Sequence, residues 1–279
     1  MIGIRLQRAR KAASISLRTL GEMVGVSQTT IAKYESEEST PDSTMLLELA
    51  KALKVKTEFF FRSSEFVLEN KEYRKRTISK IELQSIESKI LNLVEKRFEL
   101  EALYPNLNSV QFEVPNGLPK HIQYLYNIDD FANELRHLWD LGHDPIDNLS
   151  DLLEYKGIKV FMIDEDADNN FDGLAALVND YHIIVISKNW PGDRQRFTLA
   201  HELGHLMLDG KLADTLDEEK ASDRFAGAFL LPQEPLKKNL GEKRKSLEVA
   251  ELSLIKKEFG VSMQVAFIRA SHTKIIDYN

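Results

Sequence analysis

The sequence predicts an α+β protein in three parts: an all-α, five-helix domain over residues 1–63, a helical linker over 64–104, and a domain over 105–279 in which a small sheet packs on helices. Three observations predict it. Residues 1–61 fall into short amphipathic segments at helical spacing, divided by polar turns. Residues 66–104 are polar and dense in both charges, with one apolar stripe. From residue 158 onward, short runs rich in branched apolar residues alternate with turn residues before helical spacing returns.

With 279 residues, 43% of them hydrophobic, the chain is long enough for two cores, and with no Cys it offers neither a disulfide scaffold nor a thiolate metal site. Residues 1–63 carry 10 Lys and Arg against 7 Asp and Glu, a net of +3, which leaves −10 on the rest of a chain whose total is −7. The basic part is therefore local and modest. Residues 1–5 pass directly into the first helix without an apolar leader, and no apolar run reaches about 18 residues, so a cytoplasmic protein without a membrane partner is expected. Phosphate-loop glycines, Cys-His finger spacings and internal repeats are not evident.

In the first domain the expected helices cover 4–12, 17–24, 28–35, 43–53 and 57–61. Gly25, Val26 and Ser27 make a tight turn with Ser27 as N-cap, a helix-turn-helix arrangement in which the second helix enters a major groove. Residues 2–6 (Ile-Gly-Ile-Arg-Leu), 20–27 (Leu-Gly-Glu-Met-Val-Gly-Val-Ser), 28–35 (Gln-Thr-Thr-Ile-Ala-Lys-Tyr-Glu) and 46–53 (Leu-Leu-Glu-Leu-Ala-Lys-Ala-Leu) resemble the Cro/C1, or XRE, repressor family. The resemblance implies DNA as a partner, with Gln28, Thr29 and Lys33 on base edges, Gln suiting adenine and Lys guanine. Leu17 stands where that family usually has a phosphate-touching Gln, and Glu35, Glu37 and Glu38 occupy a turn that is often basic. Both departures weaken phosphate contact, which dominates affinity. A small helical domain that docks protein is the competing reading.

In the linker, Ile78, Ile81, Ile86, Ile90, Leu93, Val94 and Phe98 recur near helical spacing, which predicts a long helix or helical pair whose stripe is a dock or the seam of a homodimer through 78–98. The charge run 71–76 reads as a solvated face. After an irregular stretch over 105–119, a helix is expected over 128–141. Strands are expected over 158–163, 174–178 and 182–187, the last two joined as a hairpin at Asn179 and Asp180 in an antiparallel or mixed sheet. Such a sheet suits an extended substrate held by strand addition at an edge. A helical hairpin over 252–268 would cover the core.

The most informative feature is His201-Glu202-Leu203-Gly204-His205. Two imidazoles four residues apart on a helix lie one turn above the other and can reach one cation, and Glu202 is placed to take a proton from water there. The pattern needs a helix. Pro191 and Gly192 supply a turn, Asp193 a plausible N-cap, and Phe197, Leu199, Ala200, Leu203, Leu206, Met207 and Leu208 the helical spacing. A third ligand must be His, Asp or Glu. Residues 219–232 read as a buried helix stopped by Pro232, with Glu219 and Asp223 on one face. Glu219 can ligate while Asp223 orients a ligating His; Glu218 is the rival ligand, and an acidic first turn that only complements the helix dipole is the bland alternative. The His residues at 121, 137, 143, 182 and 272 have no ligand spacing, although His182 or Tyr181 would stabilise an oxyanion if the hairpin faces the metal.

Residues 190–208 and 219–232, with 147–161 and 171–175 upstream, closely resemble the ImmA/IrrE metallopeptidase family over roughly 126–270. Ser222 stands where Ala is usual and Asp223 where Asn is usual. The resemblance implies a zincin-like domain with one Zn2+ per chain, Mn2+ being the other candidate, held by His201, His205 and Glu219, with Glu202 as catalytic base. It also implies a metalloendopeptidase whose protein substrate is a transcriptional repressor, cut in response to stress or mobile-element signals. Two other classes compete: a non-proteolytic DNA-binding regulator with a structural or sensing metal site, and a toxin-like partner in a two-protein module.

Overall fold

The computed structural model describes residues 2–62, 66–69, 79–104, 110–164 and 171–276, which fall into two units, one of the described residues up to 104 and one from 110 onward. In the first unit, α1 (Ile2–Ala12), α2 (Leu17–Val24), α3 (Gln28–Glu35) and α4 (Ser43–Ala52) lie where the apolar spacing puts them. The fifth expected helix, Thr57–Phe61, is a 3-10 helix; a five-residue segment has too few turns to close an α-helical ladder. Leu6, Leu20, Ile31, Leu49 and Phe60 form a core with no exposed surface.

Caps set these boundaries. Ser16, Ser27 and Asp42 accept from the backbone N–H three residues on, at 3.0, 3.1 and 2.8 Å. Gly25 ends α2 at φ 72°, a left-handed turn that a side chain resists, and at Gly21 a Cβ would lie 2.6 Å from the Val26 carbonyl oxygen. The α2-turn-α3 geometry therefore depends on two glycines.

After a two-residue strand, β1 (Leu68–Glu69), the unit closes with α5 (Lys80–Ala102), started by a capping box of Ser79 and Glu82. The helix expected in the linker packs on α1 as part of this unit. Its Glu95 sits under two guanidiniums: Arg5 Nη1 donates to Oε2 at 2.5 Å and Arg8 Nη1 donates to Oε1, all three side chains at most 8% exposed. Ile86, Ile90 and Val94 of the expected stripe are buried within the single chain, whereas Leu93 and Phe98 are half-buried and Ile81 is 69% exposed; Ile78 and the charge run 71–76 lie outside the described residues.

The second unit runs α6 (Asn127–Leu138), α7 (Leu149–Tyr155), β2 (Lys159–Ile163), β3 (Gly173–Val178), β4 (Tyr181–Ser187), α8 (Gly192–Leu208), α9 (Glu218–Leu230), α10 (Gln233–Leu240), α11 (Val249–Phe259) and α12 (Met263–His272). The sheet is mixed. β3 and β4 form the expected antiparallel hairpin, Val178 opposite Tyr181 with Asn179 at φ 44°, and β2 pairs parallel to β4 from Lys159 opposite Ile183. Pro232 does end α9, but α10 begins at once behind it, with Pro235 in a first turn where its missing N–H leaves no bond unmade.

α8 is the axis of this unit, packed on β3 and β4 and along α9. Two glycines permit the approach. A Cβ at Gly173 would meet the Thr198 methyl at 2.5 Å, and one at Gly204 would lie 3.0 Å from the Phe225 ring and 3.2 Å from Ser222 Cα. Around them Phe131, Leu203, Phe225 and Phe229 are fully buried. Asp129 of α6 ties two further helices by accepting from Arg224 of α9 and from Arg269 of α12.

The Glu95 network yields a stability prediction. Glu95→Gln keeps shape but leaves two buried guanidiniums without their carboxylate, a change expected to cost about 3–5 kcal/mol in the N-terminal unit. Urea unfolding of the full chain followed by helical circular dichroism should show an earlier first transition; an unshifted midpoint would mean that the pair of arginines finds another anion.

Candidate metal centre

His201 and His205 sit on the buried side of α8, 8% and 3% exposed, with Glu202 between them at 1%. The helix starts at Gly192, one residue before the cap expected from sequence: Pro191 holds the N-cap position without a side-chain bond, while Asp193 lies in the first turn and pairs with Lys256. Arg196 anchors the same end by donating to the carbonyls of Ile146 and Asp147.

Each imidazole is oriented through its Nδ1. His201 Nδ1 lies 2.8 Å from Asp223 Oδ1, and His205 Nδ1 lies 3.4 Å from Glu218 Oε1. An Nδ1–H donating to a carboxylate leaves the lone pair on Nε2. Both Nε2 atoms then face one another at 3.0 Å, and Glu219 reaches in with Oε2 at 3.4 Å from His201 Nε2 and Oε1 at 3.7 Å from His205 Nε2. His201, His205 and Glu219 thus bring three donor atoms within 4.8 Å of one another. Ligands about 2.0–2.1 Å from a tetrahedral Zn2+ stand roughly 3.3 Å apart, so the spacing fits such an ion.

The donor set itself calls for a cation. Two nitrogen lone pairs at 3.0 Å repel unless a proton or a metal lies between them. Burial pulls the His201 pKa down, but hydrogen bonds to Asp223 and Glu219 and the charges of Glu202 and Asp223 outweigh it, raising the value to about 9. A metal would take the place of that proton, and its binding is pH-dependent for the same reason.

The geometry separates the two rival carboxylates. Glu219 faces both Nε2 atoms, whereas Glu218 approaches His205 from the Nδ1 side, as Asp223 does His201. Asp223 and Glu218 both approach an imidazole at Nδ1, where the sequence reading had Asp223 as the orienting group and Glu218 only as a rival ligand. Ser222 is fully buried against Gly204, its hydroxyl without a partner among the described residues. His182 and Tyr181 have other neighbours: the His182 ring packs edge-on against Phe112 at 5.1 Å, and Lys159 lies over the Tyr181 ring.

In the N-terminal unit, Gln28, Thr29 and Lys33 are exposed on α3. Glu35, expected to repel phosphate, turns inward and binds Arg10 through both oxygens at 2.5 and 2.9 Å.

Comparison with known proteins agrees with this geometry. Residues 153–271 match the peptidase family model described as IrrE N-terminal-like domain, and residues 6–60 match the helix-turn-helix model. Over the matched residues the C-terminal domain is similar to the ImmA/IrrE peptidase family. The IrrE-like match takes in α8 and α9 whole, and with them every residue of the cluster. Among solved structures, the P22 c2 repressor with a synthetic operator is 37% identical over 22% of this chain and 91% of its own, with a TM-score of 0.21. A Mycobacterium tuberculosis transcriptional regulator is 18% identical over 53% of this chain, with a TM-score of 0.39, and the chain spans 47% of its length. No curated protein matches the chain.

Zinc content tests the cluster directly. The purified chain is expected to hold one Zn2+, lost in His201→Ala plus His205→Ala; Asp223→Ala, which frees the His201 ring to turn, should weaken zinc about 10–100-fold in a chelator competition. Equal metal in wild type and the double variant would place the ion elsewhere.

Proposed function

We propose that the IrrE-like domain is a zinc-dependent endopeptidase and that the helix-turn-helix domain brings it to a specific DNA locus in the cytoplasm, where its substrate is a transcriptional repressor. The observation that carries the reading is the shared Nε2 space of His201 and His205, closed by Glu219, with Glu202 on the same helical turn. A purely structural metal site has no use for a carboxylate beside its ligands. In this reading His201, His205 and Glu219 hold the cation, which when bound polarises the scissile carbonyl and lowers the pKa of water at the site. Glu202 accepts the water proton and delivers it to the leaving amine. Glu218 and Asp223 keep both rings in the tautomer that presents Nε2. Within the C-terminal unit β2 is an edge strand, where an extended peptide adds by backbone pairing. No described helix is long and apolar enough to cross a membrane, in keeping with a cytoplasmic site of action.

Co-expression with candidate repressors from the protein's own locus tests the chemistry. Glu202→Gln keeps size and hydrogen bonding but not the base, so cleavage should fall at least ~100-fold with folding and zinc retained. Cleavage at the wild-type rate by that variant would remove Glu202 from the mechanism.

For the N-terminal domain, the exposed Gln28, Thr29 and Lys33 are the base-reading groups. With Glu35 occupied by Arg10, the acidic burden on phosphate contact is limited to Glu37 and Glu38. Binding to fragments of the protein's own locus, titrated with salt, should weaken with rising salt. Gln28→Ala should lose roughly 1–3 kcal/mol of discrimination. Glu37→Lys plus Glu38→Lys should tighten binding at low salt and steepen its salt slope. Retention of no fragment by either protein at low salt would make the domain a protein dock.

A further inference from the structure

The C-terminal unit contains a cavity of about 650 Å3 that belongs to no step described so far. It lies between the first turns of α8, one face of α9 and α12. Its wall includes Asp223, whose carboxylate orients His201, but none of His201, Glu202, His205 or Glu219. It is a neighbour of the metal centre, separated from it by one side chain. A concave, largely apolar space of this size with a few convergent polar groups is the ordinary form of a small-molecule site.

Its chemistry narrows the ligand. Leu125, Phe197, Val265 and Ile268 form an apolar wall. The charged wall is unbalanced. Arg224 and Arg269 share one carboxylate: Arg269 Nη1 donates to Asp129 Oδ1 at 2.5 Å and Arg224 Nε to Oδ2 at 3.1 Å. Two guanidiniums on one carboxylate leave one positive charge over, and Arg269 is only 2% exposed. Lys220, at the exposed rim, adds another. Asp193 is matched by Lys256 and Arg194 by Asp172; Asp223 faces a His201 ring that a metal would hold neutral, so its charge offsets one of the two surplus charges and the wall keeps one positive charge.

His272 also lines the cavity; burial lowers its pKa, and the charges of Arg224 and Arg269 lower it further, so it adds little to the positive charge of the wall. Its Nδ1 is closed off from solvent and does not open on the cavity. A neutral hydrocarbon would leave the surplus charge unmet, and a polyphosphate would bring several charges to a wall that is mostly apolar.

We propose that this cavity binds an amphipathic monoanion, a carboxylate on an apolar body, with the carboxylate toward Arg224 and Lys220 and the body against Phe197, Val265 and Ile268. Isothermal titration calorimetry of the full chain tests it, with octanoate as probe and 1-octanol and inorganic phosphate as controls. Octanoate is expected to bind once per chain, and neither control at the same concentrations. Lys220→Glu alters an exposed side chain and should weaken octanoate about 10-fold or more, a difference of at least about 1.4 kcal/mol. Ile268→Trp fills the cavity from a position 38% exposed and should abolish binding. Neither variant replaces a residue of the metal cluster, and an unchanged helical circular dichroism spectrum serves as the check on folding. Absence of saturable octanoate binding in wild type overturns the proposal, as does octanol binding as tightly as octanoate, or wild-type octanoate affinity in both variants. The calorimetric readout is independent of proteolysis, so this result and that of the cleavage assay stand or fall separately.

Discussion

The close approach of α8 to α9 at Gly204 is the constraint on which the C-terminal domain depends. Gly204 lies between the two histidines in sequence, and a Cβ there would press on Phe225 and on the Ser222 backbone. Without that approach the acidic face of α9 would stand off from α8. Glu218, Glu219 and Asp223, spaced over five residues, would then reach neither ring. On its other side α8 rests on the sheet where Gly173 makes room for Thr198. The helix is thus gripped from both sides, which is how a site built from two elements keeps tolerances of a few tenths of an ångström.

That grip explains a division of labour among the carboxylates. Four acidic groups converge on two imidazoles, and a metal with a charge of two cannot balance four of them. The structure separates them by direction. Glu218 and Asp223 face Nδ1 atoms, Glu219 faces both Nε2 atoms, and Glu202 projects from the helix that carries the rings. In the proposed reading, orientation and ligation therefore fall to different side chains. In the absence of a cation the same crowding raises the affinity of His201 for a proton.

Much of this was legible in the sequence because its signals are local. Helices α1 to α4, the β3–β4 hairpin and the His201–His205 pair follow from spacing and caps within a dozen residues. The approach of Asp223 to a histidine ring was legible because it shares a helical face with Glu219. What escaped was set by distant pairs. The choice between Glu218 and Glu219 turns on the crossing of α8 and α9, which no spacing encodes. Glu95 reads in sequence as a solvated member of a charged helix, yet it is buried under Arg5 and Arg8, 90 and 87 residues away. For that reason the helix 80–102 was expected as a linker and found inside the first unit. Glu35 misled in the same way, since its partner Arg10 lies 25 residues back.

The two units use one device, a carboxylate shared by two guanidiniums, to opposite effect. Around Glu95 both guanidiniums are enclosed, with Arg5 also giving Nε to the Arg62 carbonyl and lying over the Phe59 ring, so the network fastens α5 to α1. Around Asp129 the shared carboxylate leaves a positive charge on the wall of a cavity, with Lys220 at its rim. Buried charge that is fully enclosed serves only to hold elements in register, because nothing outside can answer it. Buried charge that opens on an apolar cavity favours whatever anion fits there, since low dielectric strengthens each contact. The difference between structural and receptive use of the motif therefore lies in what the surplus charge faces.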